Sequence, residues 1–421
     1  MQFTTLELSQ EILNALKDKG YKKTTPIQRE LIPAIFSTRD ILAGAQTGTG
    51  KTAGFALPIL QNIMKDFQED KHDLKAVVIV PTRELARQVH ESFEAYSKYL
   101  PLKSVALFGG SNINAQIQKL KNGADIVIST SGRLIEHIEQ KNISLKRVKY
   151  LVLDEADTIL DMGFVKEVSK IISFLPHERQ NILISATLSG SVKRLSQEIL
   201  THPKLIEGDK MGTSASLVNQ TVYPVEKEKK TELLSFLIGS RNYKHVLVFV
   251  RKKVEADEIA KELNLNGLKT SLIHGDKSVG ARTRALNDFK ERNIRVLVAT
   301  DIAARGLDIP NLNIVINYDL PHVTGDYIHR IGRTGRAGEE GLAITLLSPK
   351  EEIALQDVER LMSKKIKREI IEGYAPNIIE EKRRVRKGKN EKKRVDGAFG
   401  NKNKKTTQKK KRKTTKRDRW G

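Results

Sequence analysis

The residues best able to do chemistry stand in two short segments. Ala45-Gln46-Thr47-Gly48-Thr49-Gly50-Lys51-Thr52 has the form of a phosphate-binding loop, with Ala45 where the first glycine usually stands. Its glycines let the backbone curl so that successive N–H groups face phosphates at a helix N-terminus. Lys51 would then reach the β- and γ-phosphates of a nucleotide, and the Thr52 hydroxyl would ligate Mg²⁺. Further along, Asp154-Glu155-Ala156-Asp157 follows the apolar run Tyr150-Leu151-Val152-Leu153. Asp154 is expected to hold Mg²⁺, directly or through water, and Glu155 to orient and deprotonate an attacking water. An acidic helix N-cap is the plainer reading of such a cluster, and it suits Asp157 in part. The preceding strand and the upstream loop favour chemistry for Asp154 and Glu155.

Such groups meet only if strands carry them to one edge of a sheet. Near-continuous apolar runs recur, among them Val77-Val78-Ile79-Val80, Ile126-Val127-Ile128, Ile182-Leu183-Ile184, Val246-Leu247-Val248-Phe249-Val250, Val296-Leu297-Val298 and Ile314-Val315-Ile316. Runs of this kind predict strands buried on both faces of a parallel sheet. Amphipathic stretches between them, such as Glu84–Tyr96 and Val254–Leu263, predict helices, and the alternation predicts an open α/β architecture. Ligands of such sheets bind at the carboxyl ends of the strands, which would bring Asp154 beside the phosphate loop. The small, polar stretch Gly208–Ser216 reads as a linker. The expected organisation is a first α/β domain over 1–206, a linker over 207–216, a second α/β domain over 217–376 and a basic tail over 377–421. A single large sheet is the alternative that the linker composition disfavours. No short-period repeat is present, although both halves share the same alternation.

The chain has 421 residues, with 74 Lys plus Arg against 51 Asp plus Glu, for a formal charge of +23. Glu381–Gly421 holds 20 of the basic and 4 of the acidic residues, so +16 lies there and +7 in the remainder. So few apolar side chains accompany the tail charge that disorder and attachment to a polyanion are expected. With no cysteine, disulfide scaffolds, thiolate metal sites and cysteine nucleophiles are excluded. Membrane-spanning runs and secretory features at Met1–Gln10 are also lacking, so a soluble, cytoplasmic protein is expected.

Further motifs follow in order. Gly20-Tyr21 and Thr25-Pro26-Ile27-Gln28 precede the phosphate loop, with Phe3 upstream; Pro81-Thr82-Arg83-Glu84-Leu85, Gly109-Gly110, Thr130-Ser131-Gly132-Arg133 and Ser185-Ala186-Thr187 follow it. The second half has Val248-Phe249-Val250-Arg251, Ala299-Thr300-Asp301, Ala304-Arg305-Gly306-Leu307-Asp308 and His329-Arg330-Ile331-Gly332-Arg333-Thr334-Gly335-Arg336. Together these resemble the DEAD-box ATP-dependent RNA helicases over nearly all of residues 1–375. Within that family the bacterial RhlE type is most similar, through Gly280–Leu286 and Ile371-Glu372-Gly373-Tyr374. Thr24, Ser131 and Val279 depart from the usual proline, proline and glutamine.

The resemblance implies two tandem RecA-like domains that close on ATP and RNA. Tyr21 would stack on adenine, and the Gln28 amide would read its edge. Gln46, Thr47, Gly48, Thr49, Gly50, Lys51 and Thr52 would cradle the phosphates, with Asp308 at the ribose. Arg333 and Arg336 would meet the γ-phosphoryl charge from the second domain, as arginine fingers do. Pro81, Thr82, Arg83, Gly109, Gly110, Thr130, Gly132, Arg133, Arg251 and Thr300 would contact RNA, mainly at phosphates and sugars. Asp157, Ser185, Thr187, His329 and Arg330 would couple the domains. Ribosomal or RNA-decay proteins are the implied partners. The expected activity is RNA-stimulated ATP hydrolysis with local unwinding of short duplexes or ribonucleoprotein remodelling. An ATP-gated RNA clamp is the second reading, which intact Glu155, Arg333 and Arg336 disfavour, and a DNA helicase the weaker third.

Overall fold

The computed structural model describes residues 1–45, 48–67, 72–207, 218–304, 312–335 and 341–376. Gln46, Thr47, Asp308, Arg336, nearly all of the expected linker and the basic tail lie outside the described residues.

Two seven-stranded sheets, not one, form the frame. The first contains β1 (Ile41–Gly44), β2 (Ala76–Ile79), β3 (Ser104–Leu107), β4 (Ile126–Ser129), β5 (Tyr150–Leu153), β6 (Gln180–Ser185) and β7 (Lys204–Glu207). The second contains β8 (Val218–Pro224), β9 (Val246–Val250), β10 (Thr270–Ile273), β11 (Val296–Thr300), β12 (Ile314–Asn317), β13 (Gly341–Leu347) and β14 (Lys367–Arg368). Their spatial orders are β3-β4-β2-β5-β6-β1-β7 and β10-β11-β9-β12-β13-β8-β14. Counted from the first strand of each domain, both read third, fourth, second, fifth, sixth, first, seventh. Every pairing is parallel. The duplication absent from the sequence as a repeat is therefore complete in the topology.

Continuous apolar runs serve both faces of each sheet. Ala76 and Val78 of β2 join one core while Val77 and Ile79 join the other. In the same way Val246, Val248 and Val250 of β9 face one core, and Leu247 and Phe249 the opposite one. Helices α1 (Gln10–Asp18), α2 (Pro26–Phe36), α3 (Lys51–Lys65), α4 (Arg83–Tyr96), α5 (Ile113–Lys121), α6 (Ser131–Glu139), α7 (Ala156–Asp161), α8 (Val165–Ile172) and α9 (Gly190–Ile199) belong to the first domain. Their starts are written locally. Thr25 and Gln28 form a reciprocal capping box ahead of α2 with Pro26 at its first turn, and the Thr82 hydroxyl accepts the Leu85 N–H at 3.2 Å to cap α4. β7 ends at Glu207, one residue beyond the expected limit of the first domain.

Asp40 fixes the strand that leads into the phosphate loop. Its buried carboxylate accepts the Asn181 N–H at 2.7 Å, the Asn181 side-chain amide at 3.0 Å and the Thr201 N–H at 2.7 Å. Its carbonyl accepts the Lys204 N–H at 2.7 Å, so one residue ties β1 to both neighbours, β6 and β7. Removing the carboxylate orphans three buried donors. We expect Asp40→Ala to destabilise the first domain by about 3 kcal/mol, read from urea unfolding, and Asp40→Asn to cost roughly half as much.

Candidate active site and nucleic-acid interface

β1 ends at Gly44 and α3 begins at Lys51, with Gly50 as its N-cap at φ 86°. A Cβ on Gly50 would lie 2.3 Å from Gln28 Nε2, so both conformation and contact require glycine there. The Gln28 side chain is buried: its Oε1 accepts the Thr25 N–H at 3.0 Å and its Nε2 donates to the Gly50 carbonyl at 3.0 Å. One N–H and one lone pair remain, the two that an adenine edge uses. Tyr21 stacks against Phe3 with ring centroids 6.2 Å apart, and its hydroxyl lies 3.3 Å from that of Tyr96 at the end of α4. The Tyr21 ring is 41% exposed.

Across from the loop, β5 delivers Asp154, Glu155 and Asp157, all buried. Glu155 is held at φ 53°, a conformation that costs a non-glycine residue energy and turns the chain sharply into α7. Burial raises the Asp154 carboxyl to about 6; Lys51 opposes that rise, and Glu155 and Asp157 add to it. Lys51 Nζ stands 3.8 Å from Asp154 Oδ1 and makes no hydrogen bond among the described residues. A buried ammonium without a hydrogen-bond acceptor beside three buried carboxylates is an incomplete charge arrangement. Phosphate oxygens would satisfy the lysine. A hard divalent cation suits the oxygen donors of Thr52 and Asp154, with most of its shell left to phosphate and water. Among the described residues no cluster of three His, Cys, Asp or Glu side chains is arranged to hold a metal unaided.

Four of the five expected coupling residues lie together. Asp157 Oδ2 accepts the Thr187 N–H at 2.9 Å and its hydroxyl at 3.1 Å, while Ser185 donates to the Thr187 carbonyl at 2.7 Å. From the second domain, His329 Nε2 reaches within 3.6 Å of the same Asp157 oxygen. Arg330 does not join this interface. It is buried within the second domain, where it grips Asp301 bidentately at 2.5 and 2.7 Å and donates to Asn317 Oδ1 at 3.1 Å and the Asp319 carbonyl at 2.5 Å. On a helix, adjacent residues face about 100° apart, so His329 and Arg330 cannot serve the same surface. Arg333 is buried one turn further on.

Pro81, Thr82, Arg83, Gly109, Thr130, Gly132 and Arg133 line one cavity of about 470 Å³. Gly110 belongs beside it: it has φ 77°, and a Cβ there would lie 2.1 Å from Arg83 Nη1. Thr130, the N-cap of α6, makes no side-chain capping bond, leaving the first N–H groups of that helix for a phosphate. Two expected contacts fall elsewhere. Arg251 lies 3.7 Å from Asp319 and 3.6 Å from Glu351, and Thr300 is buried at the end of β11. The second domain instead contributes Gly275, Arg282 and Ile302 to the cavity. Arg282 pairs with Glu84 of the first domain at 2.8 Å, and Val279 packs beside Gly110. The departure from glutamine at Val279 thus places a methyl group on the closed seam.

Sequence reading also missed Gln116. Buried on α5, it donates to the Phe108 carbonyl at 3.0 Å and to the Ser111 hydroxyl, and its Oε1 lies 2.9 Å from His137 Nε2 and accepts from Arg133 Nη1 at 3.3 Å. One amide therefore joins the Gly109-Gly110 turn to the start of α6. A lone glutamine in a polar stretch carried no signal of this. Gln116→Ala should raise the RNA concentration giving half-maximal ATPase stimulation by about tenfold, with basal ATPase unchanged; Gln116→Glu should fare worse than Gln116→His if donation to the carbonyl matters.

Two parallel sheets with this strand order, a phosphate loop on the first and a shared cleft between them define a tandem RecA-like, P-loop ATPase. The DEAD/DEAH box helicase family profile matches residues 25–195, and the helicase conserved C-terminal domain profile matches residues 228–338. The chain is 39% identical over 366 residues to the DEAD-box ATP-dependent RNA helicase CshA of Bacillus subtilis, covering 87% of this chain and 73% of that one. It belongs to the DEAD-box family and is an ATP-dependent RNA helicase. Saccharomyces cerevisiae Dbp5 bound to RNA and ADP BeF3 superposes with a TM-score of 0.79 at 29% identity, covering 88% of this chain and 95% of that one. A DEAD box protein from Methanococcus jannaschii is closer in sequence, at 39%, yet reaches only 0.52 over 88% of this chain and 99% of that one.

Proposed function

We propose that ATP hydrolysis by this helicase occurs on a site completed when its two domains close on RNA, and that closure separates short duplexes or remodels ribonucleoprotein. The supporting observation is that Asp157, two residues from Glu155, bonds Thr187 and faces His329 of the other domain. Lys51 binds the β- and γ-phosphates. Thr52 and Asp154 would hold Mg²⁺, which when bound neutralises phosphate oxygens. Glu155 takes a proton from the attacking water, and Arg333, with Arg336, offsets charge on the γ-phosphoryl group. Tyr21 and Gln28 select adenine. The cavity between Thr82, Arg83, Gly109, Thr130 and Arg282 holds one RNA strand by its backbone, with little sequence preference.

Membership of the RhlE type is favoured by the Ile371–Tyr374 segment, whose Ile371 and Tyr374 pack on the second-domain core, with the Tyr374 hydroxyl donating to Glu232 at 3.1 Å. We place the first domain at 1–206, with β7 reaching Glu207, and the second at 217–376, joined by a linker and followed by an RNA-binding tail. Cytoplasmic work on ribosomal or RNA-decay particles follows from the family resemblance. Among the described residues no helix is long and apolar enough to cross a membrane.

RNA should raise the ATPase rate several-fold, and Glu155→Gln should bind ATP and RNA yet scarcely turn over. Glu84→Arg and Arg282→Glu should each lower RNA-stimulated turnover by about tenfold, and the double exchange should restore most of it, as for a coupled pair. An ATPase indifferent to RNA, or an exchange with no recovery, would remove closure from the mechanism.

A further inference from the structure

Because all strands of the second sheet run parallel, its two edges have separate chemistry. Arg251, Asp301 and Asp319 follow the carboxyl ends of β9, β11 and β12, on the side of the shared cleft. Lys244, Lys269, Arg295 and Asn313 precede β9, β10, β11 and β12 at the opposite edge. There, with Arg292 and Asn293, they line a second cavity of about 640 Å³.

Four cations and no carboxylate line this concavity among the described residues. Arg295 is fixed by neutral acceptors: its Nε donates to the Tyr243 carbonyl at 2.5 Å and its Nη2 to the Ile238 carbonyl at 2.7 Å. Its charge is therefore anchored but not cancelled. The side chains of Lys244, Lys269 and Arg292 make no hydrogen bond or ion pair among the described residues. Elsewhere on the same domain exposed cations are paired, as with Lys253–Asp276, Lys277–Asp257 and Arg368–Glu352. Cations gathered around one hollow without counter-charge repel one another and focus a positive potential outward.

We propose that this hollow is a second RNA-binding site, which grips the sugar-phosphate backbone of RNA extending from the cleft. Lysine, arginine and asparagine donors suit phosphate oxygens, and among the described residues no aromatic ring other than His245 lines the hollow to stack a base. RNA already held by the cleft presents its flanks at high effective concentration, so even weak phosphate contacts count. The site lies beyond the strands' far ends, so only RNA longer than the cleft's own footprint can reach it.

The test uses the full chain carrying Lys244→Ala, Lys269→Ala and Arg292→Ala together, three exposed positions outside the ATP and RNA clefts. With about 30 nucleotides of single-stranded RNA, affinity should fall at least about fivefold and the slope of log K against log salt should flatten by about 2, at roughly 0.7 per phosphate. With about 8 nucleotides, affinity and RNA-free ATPase should be unchanged. The charge-preserving variant Lys244→Arg with Lys269→Arg should bind the long RNA like the parent. Equal losses on short and long RNA, or no loss on either, would overturn the proposal. Unchanged RNA binding with loss of binding to poly-glutamate would also overturn it and assign the hollow to an acidic protein segment.

Discussion

The first domain is organised around an electrostatic imbalance. Asp154, Glu155 and Asp157 are buried within four residues of one another, and Lys51 is the cation that the structure brings to Asp154. In a low-dielectric interior such carboxylates resist ionisation, which is why burial lifts Asp154 so far. Phosphates and a divalent cation would relieve the imbalance from opposite sides. Charge interactions that would be small in water would be larger here, because the lysine and the carboxylates lie in a low-dielectric interior.

Two helices of the first domain each join one candidate site to another. α4 begins beside Arg83 and Glu84 in the cavity and ends at Tyr96, whose hydroxyl meets that of Tyr21 near the nucleobase site. Burial, with Tyr21 adding to it, keeps Tyr96 protonated as a hydrogen-bonding group. α7 begins just after Glu155 and carries Asp157 toward Thr187 and His329. Ligand sites on both sides of the first sheet thus lean on helices that emerge from the same row of strand ends.

Much of this was legible because it depends on short-range rules. The phosphate loop, the Asp154-Glu155 pair and the strands buried on both faces are each written within a few consecutive residues. Several of the strands that escaped reading are less buried or polar, like β3 and β10 at sheet edges, β7 with one buried residue in four, and the exposed pair β14. Without two buried faces they lack a continuous apolar run. Site residues were misplaced for a different reason. Arg330 and Arg251 find their carboxylate partners at Asp301, Asp319 and Glu351, which are distant or unremarkable in sequence. Gln116 acquires its importance only when three turns converge on one amide. Long-range polar pairing has no local signature.

The duplicated topology also sets two corresponding lysines in different surroundings. In the first domain the lysine that opens the helix after the first strand is Lys51, 3.8 Å from Asp154 after the fifth. In the second, Lys230 opens the helix Lys230–Ser240 after β8 and lies 3.7 Å from Asp319, just beyond β12, the fifth. The two lysines occupy corresponding places, but their surroundings differ. Lys230 donates to the Tyr318 carbonyl and to Glu351, both at 2.7 Å, and Arg251 shares the same two carboxylates. Burial alone would raise Glu351, yet Lys230 holds it below its ordinary value, so the charges there are already matched. No glycine loop precedes Lys230, and a satisfied ion network has nothing to gain from phosphate. Among the described residues the lysine of the first domain has no hydrogen-bond partner, which suits an anionic ligand. The second keeps the equivalent lysine within its own core and presents His329 to Asp157 of its neighbour.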